Sequence, residues 1–140
     1  MPSVKADWKQ GLEFSVLQDG HRLTIDGTPE FGGADRGPRP KNLLLTALAC
    51  CTGMDVVSIL RKMKVEGYSL TVEARGEYTE EHPKVFSELE VEFIFTGRDL
   101  PRDRIERAVF LSSERYCGVS AMLRHTVDIG YTITLVEPEG

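Results

Sequence analysis

The chain has no Cys-x-x-Cys, no internal repeat, no low-complexity tract and no long run of Lys and Arg. Each absence narrows the possibilities. The histidines, His21, His82 and His125, are scattered, so no ligand spacing of the zinc-finger type exists and no metal is expected. A formal net charge of -5 with no basic stripe argues against binding nucleic acid through its phosphates. The short stretches KADWK and LRKMK flank apolar runs and read as solvated faces. The first residues, MPSVKADWKQG, hold no apolar core of a secretory signal. An odd number of cysteines with no such signal points to the reducing cytoplasm. Only residues 43–60 are apolar enough to suggest a membrane span. That stretch is about as short as a span can be and carries Asp55, Ser58 and two threonines. A helix buried in protein on most of its faces fits it better, and no membrane partner is expected.

What is present reads as one domain over residues 1–140, long enough to fold without disulfide or metal. EFSVLQ (13–18) and HRLTIDG (21–27) alternate apolar and polar residues across Asp19-Gly20, a strong hairpin signal. Residues 28–42 are rich in Gly and Pro, form a loop, and carry Arg36 and Arg39. A loop this long in a small domain is often functional. A helix should start at about Pro40, run to Lys64 and end near Gly67, with Arg61, Lys62 and Lys64 at the negative end of its dipole. Gly53 inside it implies close approach of another backbone. Residues 68–79 and 84–97 have the strand period, with Phe86 and Ile94 breaking it in the second. A helix after Pro101 should bury Ile105, Ala108, Val109 and Leu111 or Ser112. A short helix follows Cys117, and 126–137 is a last strand. The order β-β-α-β-β-α-α-β, with strands in antiparallel pairs, is that of an α+β fold.

The cysteines carry the chemical interest. A free cysteine usually packs as a small hydrophobe, and Cys50 is read that way. Cys51 shares its helix face with Leu44, Ala47, Leu48, Asp55 and Ser58, a more polar face than that of Cys50, which makes Cys51 the better chemical candidate. Cys117 stands just before a short helix, where the dipole lowers a thiol pKa. Packing between two helices is the alternative for it. Hydrolytic Cys–His catalysis has no local support.

Together, GPRPKNLLLTALACCTGMDVVSILRKMK and SSERYCGVSAMLRH resemble the OsmC/Ohr family, the osmotically inducible and organic hydroperoxide resistance proteins, and within it the YhfA-like branch. The resemblance implies an OsmC-like fold: an intertwined homodimer whose long central cysteine helices are wrapped by antiparallel sheets. It places each active site at the dimer interface, with Cys51 as the peroxidatic thiolate and Cys117 as the thiol that resolves it. It brings no cofactor; the partners it implies are an organic hydroperoxide and an external dithiol reductant. In the family an arginine held by a glutamate stabilises the thiolate. Arg39, next to the helix start, is the first candidate here and Arg36 the second. The chain departs from the peroxidase pattern after Pro40, where Lys41 stands in place of the glutamate. Asp55, one turn past Cys51, could anchor an arginine or raise the thiol pKa by like-charge repulsion. Three functions therefore stand open: a thiol peroxidase in oxidative stress defence, a redox-sensing or small hydrophobic ligand-binding protein on the same scaffold, and a structural set of thiols.

Overall fold

A computed structural model describes residues 1–139, and the chain divides into two compact units that meet in sequence at Leu44–Leu45. The first unit is a three-stranded antiparallel meander: β1 (Val4–Gln10), β2 (Glu13–Gln18) and β3 (His21–Ile25). Asp19 (φ 50°) and Gly20 (φ 80°) are both left-handed, the pair that a two-residue type I′ hairpin turn requires. The hairpin thus forms where Asp-Gly announced it. β1 was not anticipated, because KADWK shows no apolar alternation. All seven of its side chains are exposed, and what makes it a strand is its ladder with β2.

In the second unit, α1 (Leu43–Lys62) comes first. It buries Leu48, Thr52, Val56 and Leu60, a row at four-residue spacing, together with Gly53. A Cβ on Gly53 would lie 3.3 Å from the Val72 side chain, so the close neighbour is a side chain and not, as expected, a backbone. The helix also ends earlier than Gly67. Lys64 adopts φ 61°, Lys64 N–H donates to Arg61 O (3.0 Å) and Val65 N–H donates to Leu60 O (2.9 Å). This is a Schellman cap with lysine where glycine is usual, and its hydrophobic clasp is Val65 against Leu60, both buried.

The second sheet has the order β4 (Tyr68–Tyr78), β5 (Phe86–Gly97), β6 (Asp128–Val136). β4 and β5 are antiparallel, but β6 runs parallel to β5. The expectation of antiparallel pairs throughout fails here. A parallel partner needs a long crossover, and α2 (Arg102–Leu111), one π-helical turn (Ser112–Tyr116) and α3 (Gly118–Leu123) supply it. On β5 the alternate residues Leu89, Val91, Phe93 and Phe95 are buried and share one core with Leu48, Val56 and Leu60 of α1 and Ile105, Ala108 and Val109 of α2. Phe86 leaves the strand pattern because it stacks on Tyr78, with ring centroids 4.8 Å apart. On the opposite face Arg75 bridges Glu73, Glu90 and Glu92.

Two stability outcomes follow from this packing. Phe93→Ala should lose about 3–5 kcal/mol by cavity formation. Lys64→Gly should gain about 0.5–1 kcal/mol by relieving the left-handed backbone. Urea titration of the two variants against wild type checks both, and opposite signs are expected.

Candidate active site

Cys51 lies in the third turn of α1, with Asp55 one turn further on. Cys117 lies between the π turn and α3, and folding brings the three together. Their sulfur and carboxylate atoms all lie within 4.8 Å of one another. Cys117 is buried, whereas Cys51 and Asp55 are partly so. Among the described residues this is the group whose ligating atoms could share one cation, and no histidine belongs to it.

The Cys117 end is held by backbone. Cys117 is the N-cap of α3, in extended conformation, and its Sγ accepts the Ser120 N–H at 3.3 Å. Its own N–H donates to Ser112 O at 2.8 Å, closing the π turn. Such turns occur disproportionately at functional sites. Ser112 also ties this turn to α1. Its hydroxyl, fully buried, lies 3.1 Å from Asp55 Oδ2 and 3.3 Å from Thr52 O, so its one hydrogen serves either acceptor. Behind Cys117, Tyr131 donates its phenolic hydrogen to Ser120 Oγ at 2.8 Å. Burial pushes the Tyr131 phenol up, and the nearby Cys117 adds to that.

Burial, above all, pushes the Cys51 thiol above its ordinary value. The Val119 N–H opposes this, while Cys117 and the Asp55 charge reinforce it. Cys50, by contrast, is exposed rather than packed in the chain's own core. It lines an apolar groove of about 570 Å³ with Ala49, Gly53, Met54, Val57, Leu70 and Val72.

The arginines belong to the first unit. There Asp26, buried at the end of β3, accepts backbone N–H groups from Gly27 (2.7 Å), Ala34 (3.1 Å) and Arg36 (3.2 Å). These bonds gather the loop that presents both arginines. Arg36 pairs with Glu13 at 3.7 Å. Arg39 pairs with Asp35 at 2.7 Å and donates to Gly37 O at 2.7 Å. Lys41 is in the turn before α1, where its carbonyl accepts the Leu44 N–H at 3.1 Å. Asp35 is thus the carboxylate that Arg39 pairs with within this unit. A salt bridge four residues apart in a loop left no sequence pattern that would have marked it. Ser112, Ser120, Tyr131 and Asp26 were likewise not read as site residues. Only Ser120 had a local signal, its N-cap spacing of three from Cys117.

Burial raises the Asp26 carboxyl, but the N–H groups of Arg36, Gly27 and Ala34 and the Arg36 charge outweigh it and hold the group below the usual aspartate range. Its contribution to folding is complete above about pH 3.9, the unfolded value, and is lost as pH falls through the lowered folded value. Asp26→Asn should therefore speed trypsin cleavage after Arg36 at neutral pH and flatten the acid limb of the stability curve. Cleavage at the wild-type rate would show that the loop is ordered by something else.

Comparison with known proteins places the chain in one family and one fold. Residues 32–132 match the family model described as OsmC-like protein, a span that holds both cysteine segments. Protein YhfA of Escherichia coli (strain K12) is 36% identical over 134 residues, covering 95% of this chain and 97% of that one. A hypothetical protein from Aquifex aeolicus VF5 superposes with a TM-score of 0.86 at 26% identity, over 99% of this chain and 98% of the other. A Legionella pneumophila protein described as an organic hydroperoxide resistance protein OsmC and predicted redox protein superposes with a TM-score of 0.70 at 19% identity, over 96% of each chain, which shows the shared fold.

Proposed function

Because this chain belongs to the OsmC-like family, we propose that it is a two-cysteine peroxidase that reduces organic hydroperoxides in the cytoplasm. One observation carries this reading: Cys51 and Cys117, far apart in sequence, have their sulfur atoms within 4.8 Å of each other. A thiol that is oxidised there has a second thiol within reach. The Cys51 thiolate attacks the outer oxygen of R–O–O–H, the O–O bond breaks, and R–OH leaves with one proton taken up. Cys51 is then a sulfenic acid. The Cys117 thiol condenses with it, forming the disulfide and releasing water. An external dithiol exchanges with the disulfide and restores both thiols.

In this reading Cys51 needs a cation to offset burial and the Asp55 charge. Arg39 is assigned that part and Arg36 the second place; a guanidinium stays charged and can contact both thiolate and peroxide oxygen. Lys41 adds positive charge near the helix start, and Asp55, through its contact with Ser112, positions the turn that carries Cys117.

The proposed working form is a homodimer. α1 is long and apolar enough to cross a membrane, yet only 28% of its most apolar stretch is buried, against the expectation that most of its faces would be. Met54, Met122 and Tyr116 are more than half exposed. In the first unit, Ile25 is the one strand residue that is buried. Such surfaces need covering, and a second copy supplies an equal apolar helix.

A second reading has a specific observation behind it. The groove beside Cys50 is apolar and falls in the size range of small-ligand pockets. A hydrophobic ligand held there, or a dithiol that senses rather than turns over, would suit the replacement of the family glutamate by Lys41.

Turnover separates the readings. One equivalent of cumene hydroperoxide should remove two thiols from the wild type within seconds. Cys117→Ser should give a trapped sulfenic acid, Cys51→Ser should not react, and Arg39→Ala should slow the first step by about 10²–10³-fold. Unchanged wild-type thiols after minutes would reject the peroxidase and favour the ligand-binding reading. Sedimentation equilibrium should report twice 15.7 kDa, and Met54→Glu should return the mass to that of one chain.

A further inference from the structure

The cluster of Cys51, Asp55 and Cys117 has a second chemical meaning. Two sulfurs and a carboxylate lie within 4.8 Å of one another. A tetrahedral zinc ion, with bonds of about 2.3 Å to sulfur and about 2.0–2.2 Å to oxygen, spaces its donors roughly 3.5–3.8 Å apart. Side-chain rotation alone can close that difference. Cys51 and Asp55 are one turn apart on a rigid helix, the same i, i+4 arrangement by which a helix offers two ligands to one metal. The third ligand comes from a turn that backbone bonds already hold, through Ser112 O and Ser120 N–H.

The surroundings resemble a prepared metal shell. Ser112 Oγ lies 3.1 Å from Asp55 Oδ2, the outer contact that orients a ligating carboxylate. Both cysteines can lose their protons this close to a carboxylate only where something positive stands among them. The donor set also selects the cation. Two soft sulfurs disfavour magnesium and calcium, which prefer oxygen, and suit a borderline ion such as zinc.

We propose that the reduced Cys51–Asp55–Cys117 cluster is a zinc-class cation site with three protein ligands and an open fourth position. Binding replaces the two thiol protons, which are released to solvent, and changes no oxidation state. The site stands on the cluster geometry; its consequence for turnover rests on the peroxidase reading above. A metal-bound pair of sulfurs has no free thiolate to attack a hydroperoxide. Metal and peroxide therefore compete for the same thiols, and the metal acts as a reversible stop.

The test uses the reduced full chain under argon, titrated with Co²⁺ and then with Zn²⁺. One Co²⁺ per chain should give a thiolate-to-cobalt charge-transfer band in the near ultraviolet and tetrahedral visible bands, both removed by Zn²⁺. Cys51→Ser and Cys117→Ser should lose the charge-transfer band. Asp55→Asn should weaken binding at least tenfold while keeping its circular dichroism spectrum. Cys50→Ser should bind as wild type does. Absence of the bands, or equal affinity in wild type and Asp55→Asn, would overturn the three-ligand site. The cobalt spectrum needs no peroxide, so the two proposals can fail separately. A chain that binds cobalt but ignores hydroperoxide rejects the peroxidase and keeps the metal site; the reverse result rejects the metal site alone. Where both hold, Zn²⁺ should suppress hydroperoxide consumption in proportion to site occupancy, and a chelator should restore it.

Discussion

The row Leu48, Thr52, Val56 and Leu60 on α1 shares one core with Phe93 and Phe95 of the second sheet, and the position of the site follows from it. Fully buried apolar side chains of this size each contribute about 1.5–3 kcal/mol. With that face fixed, the helix cannot rotate, and Cys51 and Asp55, which flank Thr52 and Val56, are aimed at the turn that carries Cys117. Thr52 sits in this apolar row without cost because its hydroxyl donates to Leu48 O at 2.8 Å. The carbonyl of the same residue lies 3.3 Å from Ser112 Oγ. The core and the site therefore meet at one residue.

The two cysteines differ in how they are held. Cys51 is a rigid helix residue in a partly buried, anionic neighbourhood that disfavours its thiolate. Cys117 is a cap whose sulfur already accepts a backbone N–H. A redox pair benefits from such asymmetry, because the attacking and resolving sulfurs have different tasks. Here the residues of the second unit alone disfavour Cys51 as the attacker. The proposed roles of Arg39 and Arg36 are what that disadvantage calls for. The same anionic neighbourhood is what a cation would relieve, and this is why one cluster underlies both the proposed peroxide chemistry and the proposed metal site.

The uncovered surfaces belong to the same physical picture. A helix with apolar residues on more than one face buries one stripe in its own chain and leaves Met54 and Val57 on the surface. Cys50 lies among them, on the groove rather than in the core. Its neighbour Cys51, 100° around the helix axis by the geometry of about 3.6 residues per turn, faces the Cys117 turn. One residue of register separates a groove thiol from a site thiol.

Much of this was legible in the amino-acid order. Asp19-Gly20 set the hairpin because both residues tolerate the left-handed backbone, and alternation marked β5 because one face is buried. The four-residue rows of α1 separate the Cys51 face from the Cys50 face in the sequence itself, and the two cysteine segments together identify the family. Other features depended on distant partners. The parallel β5–β6 pairing is invisible locally, since a strand's pattern records which face is buried and not the direction of its neighbour. β1 has no pattern because it buries nothing. The early end of α1 rests on Lys64 in a conformation that lysine does not advertise. The clustering of Cys51, Asp55, Ser112 and Cys117 exists only once α1 and the crossover pack into one core. Sequence could nominate each residue by its chemistry, but their separation of a few ångströms is a property of the folded chain alone.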